Sequence, residues 1–253
     1  MVIFVGAGPG AEDLITVRGQ KYLQQADQII YAGSLVNPAL LDMKKETAIV
    51  KNSAYMTLEE VIQAICKEEE KGGLTVRLHT GDPCLYGAIR EQMDELDARG
   101  ISYEVCPGVS SFSGAAAALQ AEYTLPSISQ SVVITRMAGR TPVPERESIR
   151  AFAAHGATMV IFLSAGMLPK LQEELLLGGY TEETSAALVY KATWPEEKVC
   201  NCTVGTLAKT GADYQISKTA LIVVGNVLGE SYERSLLYHP EFETEYRRKK
   251  GDA

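Results

Sequence analysis

Short apolar runs alternate with helix-period segments through the first half of the chain, and that order constrains the fold more than any other feature. Val2 to Val5, Gln28 to Tyr31, Ala48 to Val50, Leu74 to Leu78 and Tyr103 to Val105 read as strands, with helical spacing between them. Strand, helix, strand order implies a mostly parallel sheet, because a parallel pair needs a crossover long enough to hold a helix. The clearest helix is Thr57 to Lys71. Thr57 and Glu60 are spaced as a capping box, Leu58, Ile62 and Ile65 share a face, and Gly72-Gly73 stops it.

A small-residue helix, Ser113 to Leu119, leads into a polar stretch, Glu122 to Ser131, that contains Pro126. The domain boundary is placed there, dividing an N-terminal α/β domain, 1–121, from a C-terminal α/β domain, 122–253. Val132 to Thr135, Met159 to Leu163, Ala186 to Tyr190, Lys198 to Thr203 and Ala220 to Val224 read as five further strands. The third and fourth are joined only by a loop around Trp194-Pro195, too short for a parallel crossover, so this sheet is predicted to be mixed. The tail, Glu241 to Ala253, is charged and without apolar period, and is expected to be partly disordered.

After the first strand comes Gly6-Ala7-Gly8-Pro9-Gly10-Ala11, which has the spacing of a dinucleotide-binding loop. Its chemistry is wrong for a pyrophosphate. Pro9 has no amide hydrogen, Glu12-Asp13 put negative charge where phosphate would sit, and Tyr31-Ala32-Gly33 lacks the ribose-binding acid expected after the second strand. Three glycines and a proline at the carboxyl end of a parallel strand still favour a ligand loop over a plain turn.

A net charge of −8 argues against a nucleic-acid partner, which needs a basic face. No apolar run reaches the length of a membrane span, and the N-terminus does not read as a secretory signal, so a cytoplasmic protein is expected. Five cysteines without a CxxC pair, and only three histidines, make a structural metal or disulfide framework unexpected, and no metal site is predicted. Cys200-Asn201-Cys202 reads as strand packing.

The chain strongly resembles the tetrapyrrole (cobalamin-precorrin) methylase family. Four motifs carry the resemblance: Val5-Gly6-Ala7-Gly8-Pro9-Gly10 with Leu14 to Gly19; Arg77-Leu78-His79-Thr80-Gly81-Asp82-Pro83; Pro107-Gly108-Val109-Ser110-Ser111 with Ala115 to Ala118; and Ala192-Thr193-Trp194-Pro195. Tyr31 to Val36 and Ala54 to Leu58 resemble the branch that methylates carbon 11 of precorrin-4 or cobalt-precorrin-4 in cobalamin biosynthesis. The resemblance implies two α/β domains with S-adenosylmethionine, released as S-adenosylhomocysteine, in the cleft between them. It also implies a homodimer and a small-molecule tetrapyrrole substrate. Carried over by motif, the cofactor contacts fall at Pro9, Thr80, Gly81, Asp82, Ser110, Ser111, Leu163, Ala192 and Ala220. A methylase of RNA or of a modified protein residue fits less well, since the basic surface is missing. A nicotinamide oxidoreductase is opposed by Pro9, and a non-catalytic binding protein would not need motifs on both halves.

The residues make independent sense of several of these positions. Gly81 permits close backbone approach, and Asp82 reads equally as a ligand contact or as the N-cap of a helix from Tyr86 to Leu96 with Pro83 at its first position. Methyl transfer to an electron-rich carbon requires alignment rather than a nucleophilic side chain. Early-acting relatives carry an aspartate after the second strand, whereas this chain has Tyr31-Ala32-Gly33-Ser34, so no general base is assigned; Tyr31, Ser34 and Tyr55 are the available substitutes. A polycarboxylate substrate of an acidic protein needs local cations, and Arg136 and Arg140, in the loop that runs to Arg146, are the first candidates. Tyr86, Met137 and Tyr190 are candidates to pack on the macrocycle. His79 is expected to be a hydrogen-bonded interior histidine rather than a cobalt ligand.

Overall fold

The computed structural model describes residues 1–229 and 232–248. In chain order the elements are β1 (Val2–Gly6), α1 (Val17–Gln25), β2 (Gln28–Tyr31), β3 (Ile49–Asn52), α2 (Leu58–Glu69), β4 (Thr75–His79), α3 (Arg90–Asp97), β5 (Tyr103–Cys106) and α4 (Ser111–Leu119). They continue with β6 (Val132–Arg136), α5 (Ile149–Ala153), β7 (Thr158–Phe162), α6 (Leu168–Leu177), β8 (Ser185–Tyr190), β9 (Lys198–Thr203), α7 (Leu207–Asp213) and β10 (Ala220–Val224). Two compact units result: Met1–Ala118 with Tyr190–Lys198, and Leu119–Val189 with Val199–Ala253.

The first unit carries a sheet of order β3-β2-β4-β1-β5, parallel throughout. β1 is buried on both faces, as a central parallel strand must be. Its side chains alternate between two cores. Ile3 and Val5 join Leu23, Ile29, Leu40 and Leu78 on one face. Val2 and Phe4 join Ile30, Val61, Ile65 and Leu96 on the other, where α2 and α3 supply the cover. The predicted capping box starts α2: Glu60 N donates to Thr57 Oγ1 at 3.3 Å and Thr57 N to Glu60 Oε2 at 2.8 Å. Gly72, at φ +71°, turns the chain out of it.

The second unit carries a sheet of order β6-β7-β10-β8-β9. β6 runs parallel to β7 and β10 antiparallel to it, so the sheet is mixed as the short β8–β9 link implied. Cys200 lies buried in β9, and burial first of all raises the Cys202 thiol to about 11, consistent with packing rather than reactivity.

One element differs from expectation. The segment from Tyr86 is not helical; α3 begins only at Arg90, and Asp82 is not its N-cap. Tyr86 and Ala88 adopt φ of +56° and +49°, in the left-handed region, and the chain coils so tightly that a Cβ on Gly87 would lie 2.2 Å from Pro83 O. The apolar spacing of Leu85, Ile89 and Met93 mimicked a helix across this turn. In the tail, Thr244 and Arg247 form an isolated bridge within the described residues 241–248, and 249–253 lie outside them.

Three loops leave the carboxyl ends of the adjacent strands β4, β1 and β5 and meet backbone to backbone. A Cβ on Gly108 would lie 2.3 Å from Gly81 O and 2.7 Å from Gly6 Cα, and a Cβ on Gly6 would lie 2.5 Å from Gly108 Cα. Gly108→Ala is therefore expected to destabilise the protein by about 2–3 kcal/mol, in the upper range for overpacking. Urea denaturation measures it, and a midpoint equal to the parent's would contradict this packing.

Candidate active site

The site is built where open parallel sheets bind ligands, outside the carboxyl ends of the strands. Ala7 N donates to His79 O at 2.7 Å, and Gly8 and Gly81 exchange hydrogen bonds at 3.2 and 2.9 Å, so the loops after β1 and β4 continue as a single bridge beyond the sheet. Gly8 and Gly81 have φ of +81° and +62°, which explains glycine at both. The β5 loop packs against the same point: a Cβ on Gly81 would touch Ser111 N and Oγ at 3.3 Å.

Asp82 joins the β4 and β5 loops. Its Oδ2 accepts from Gly108 N and its Oδ1 from Cys84 N, each at 2.8 Å. Burial pushes this carboxyl up, but the hydrogen bonds from Cys84 and Gly108 outweigh it and hold the group below the usual carboxylate range. Thr80, between these anchors, has a buried Oγ1 with no partner among the described residues. Buried hydroxyls are normally satisfied, so this atom is suited to a hydrogen bond with a bound molecule.

The glycine loop is held from its other side by the segment that links β8 to β9, which belongs to the first unit. Trp194 lies against Gly10, where a Cβ would come within 2.1 Å of its Cδ1, and its Nε1 donates to Pro9 O at 3.2 Å. Ala11 N donates to Thr193 Oγ1 at 2.9 Å, and Asn37 Nδ2 donates to Gly10 O at 2.8 Å. The loop runs into a single 3-10 turn, Glu12–Leu14, and α1 starts only at Val17. The amides a pyrophosphate would need are absent at Pro9 and already used at Ala11, which argues against the dinucleotide reading.

Of the nine cofactor positions expected from the sequence, Pro9, Thr80, Gly81, Asp82, Ser110, Ser111 and Ala192 lie in the first unit. Pro9 packs on Gly114, where a Cβ would lie 2.7 Å from its own Cβ, Ser110 is buried, and Ala192 O abuts Gly10. Leu163 and Ala220 lie in the second unit. Leu163 directly follows β7 with φ +52° and is 62% exposed, while Ala220 is the buried first residue of β10. The β7–β10 register, with Ile161 opposite Ile222, sets both at the same end of that strand pair.

Arg136 ends β6, and its guanidinium donates to the carbonyls of Met137, Thr141 and Pro142 at 3.1, 3.3 and 2.9 Å, bracing its own loop. Arg140 sits exposed in that loop, Met137 is buried, and Tyr86 is half-exposed at the turn between β4 and α3. His79 departs from expectation: it is buried, yet Nε2 has no partner among the described residues. Burial, and then the charge of Arg77, bring it down to about 3, so it is neutral. Its ring packs beside Phe4 with centroids 5.9 Å apart. No three His, Cys, Asp or Glu side chains gather into a metal-binding group among the described residues. The sequence does not single out Thr193, Trp194 or Asn37 as loop anchors; the signal available for the first two was a tryptophan beside a proline in the short link after a strand.

The model of the tetrapyrrole (corrin/porphyrin) methylases matches residues 1–208. The chain belongs to that family. It is 52% identical over 248 residues to the cobalt-precorrin-4 C(11)-methyltransferase of Methanocaldococcus jannaschii, covering 98% of this chain and 96% of that one. It is 44% identical over 239 residues to the precorrin-4 C(11)-methyltransferase of Mycobacterium tuberculosis, covering 94% and 95%. Among solved structures, a cobalt-precorrin-4 methyltransferase superposes with a TM-score of 0.89 at 44% identity, covering 90% of this chain and 96% of the other. The likeness extends through both sheets and confirms the two-sheet α/β fold of the family.

Asp82→Ala should destabilise the protein by about 1.5–3 kcal/mol near neutral pH, the range for hydrogen bonds to a charged group. The sign with pH follows from the lowered carboxyl: its contribution is full above the usual aspartate value of about 3.9 and is lost as pH falls through the folded value. Denaturation of parent and variant between neutral pH and about pH 3 should therefore show the gap closing only at the acid end. A gap independent of pH would mean that the carboxylate is not the clamp.

Proposed function

We propose that this protein transfers a methyl group from S-adenosylmethionine to carbon 11 of cobalt-precorrin-4, or of its metal-free counterpart, in cobalamin biosynthesis. The observation that carries this is identity of 42–52% over nearly the whole chain to relatives bearing those two names. The higher identity to a relative named for the cobalt form favours cobalt-precorrin-4.

When bound, S-adenosylmethionine supplies an electrophilic methyl group on a sulfonium. The chain's own residues bind and orient. Thr80 Oγ1, with no partner among the described residues, and the Ser110 and Ser111 hydroxyls offer hydrogen bonds, while Pro9 and Ala192 offer apolar surface. Gly81 keeps the β4 loop bare of side chain, Asp82 fixes it to Gly108, and Leu163 and Ala220 are the remaining proposed contacts. The transfer needs no nucleophilic side chain, since a reduced tetrapyrrole brings its own nucleophilic carbon and the protein must align it within about 3–3.5 Å; at most a proton is taken up afterwards, and no residue is assigned to that step. Arg140, Arg136 and Tyr86 are the proposed substrate contacts. With a net charge of −8, attraction for a polycarboxylate must come from such local groups, and the same charge disfavours the RNA methylation some relatives of the fold perform.

The proposal extends to a cytoplasmic homodimer with domains dividing near residue 121. No described helix is long and apolar enough to cross a membrane.

Calorimetric titration with S-adenosylhomocysteine, with NADH as control, tests the cofactor assignment. One-site binding of the first alone is expected. Thr80→Val, which keeps shape but loses the hydroxyl, should weaken it by about 1 kcal/mol, roughly fivefold. NADH binding, or unchanged affinity in the variant, would contradict the site as described.

A further inference from the structure

Arg77 is a buried cation, 3% exposed, in the middle strand of a parallel sheet. No carboxylate forms an ion pair with it among the described residues. Its acceptors are neutral: Nη1 donates to Ile30 O at 2.6 Å and Nε to Gln92 Oε1 at 2.8 Å. Burial draws its guanidinium down to about 10. A buried charge satisfied only by neutral groups costs stability that an apolar side chain would not, so its presence calls for another explanation.

Gln92 is itself buried, and its remaining donor, Nε2, goes to Ala88 O at 2.8 Å. Ala88 is one of two non-glycine residues that hold left-handed φ in the coil of residues 83–89, and Tyr86, the other, is 45% exposed. Such conformations persist only where surrounding contacts over-determine them. The route Ile30 to Arg77 to Gln92 to Ala88 runs from the second strand, through the sheet, to that coil. Arg77 is thus spent on loop geometry. His79, on the same face of β4, is neutral, so of these two side chains only Arg77 is charged.

We propose that Arg77 and Gln92 are positioning residues for the methyl acceptor, holding the 83–89 loop through Ala88 so that Tyr86 is presented to the tetrapyrrole. This rests on the function proposed above. The relay touches neither Thr80 nor Ser111, so its loss should affect acceptor binding and leave cofactor binding intact.

Gln92→Glu separates these effects. The carboxylate still accepts from Arg77 Nε, so the cation stays satisfied and the fold is kept, but the donor to Ala88 O is gone. The KM for cobalt-precorrin-4 should rise about fivefold or more, with the S-adenosylhomocysteine Kd within about twofold of the parent. Amide exchange should quicken in residues 84–89 and not in β1 or α2. Adding Ala88→Gly should lower KM again, because glycine takes the left-handed conformation at little cost. The double variant Arg77→Met/Gln92→Leu, which removes charge and relay together, should show the same KM shift without loss of stability.

Parent-like KM and loop exchange in both variants would overturn the proposal, as would a cofactor Kd that rises in step with KM. A parent that transfers no methyl group would instead overturn the functional reading. The loop exchange rates would then still decide whether the relay holds the coil.

Discussion

The close approach of Gly6, Gly81 and Gly108 organises everything else at the site. Three parallel strands end side by side, and their loops meet with no side chain between them, because a single Cβ at Gly6 or Gly108 would fall within 2.6 Å of Gly81 O. The bare junction brings Thr80, Ser110 and Ser111 into one neighbourhood and lets the Asp82 carboxylate reach Gly108 N. The loop after β1 is completed from far along the chain, by Thr193 and Trp194, which hold Ala11 and Pro9. A ligand at this place would meet a surface fixed before it arrives, and preorganisation of that kind is what alignment chemistry requires.

The polar groups under this surface divide by how they are satisfied. Asp82 is ionised and joins two loops through both carboxylate oxygens. Among the described residues Arg77 is charged, buried and paired only with neutral acceptors, while His79 is neutral with an unpartnered Nε2. Thr80 Oγ1, one of the proposed cofactor contacts, is buried and without a partner among the described residues. The charged groups are thus committed to holding loops, and the hydroxyl beside the glycine junction retains its capacity.

Much of the fold was legible in the sequence because local physics and tertiary packing agree there. Val2 to Val5 is apolar on both faces and becomes a central parallel strand; Thr57 with Glu60 caps α2; the short link between β8 and β9 pointed to a mixed second sheet, and that sheet is mixed, with β6 parallel and β10 antiparallel to β7. Where the two disagree, the sequence misleads. Leu85, Ile89 and Met93 have helical spacing, yet contact between Gly87 and Pro83 O, and the Gln92 bond to Ala88, hold that stretch as a tight turn with left-handed φ at Tyr86 and Ala88. The glycine loop carries a nucleotide-binding spacing but lacks the amides. The anchoring by Thr193 and Trp194 could not be read locally, since it joins residues more than 180 positions apart. The bonds by which the Arg136 guanidinium braces its own loop were likewise not legible in the sequence, and Arg136 stays a proposed substrate contact.

Incubating the protein with cobalt-precorrin-4 and S-adenosylmethionine carrying a carbon-13 methyl label, then locating the label by NMR, tests the proposed transfer to one particular carbon. A single labelled methyl on carbon 11 of the macrocycle is expected. Label at another carbon, or on no tetrapyrrole at all, would contradict it.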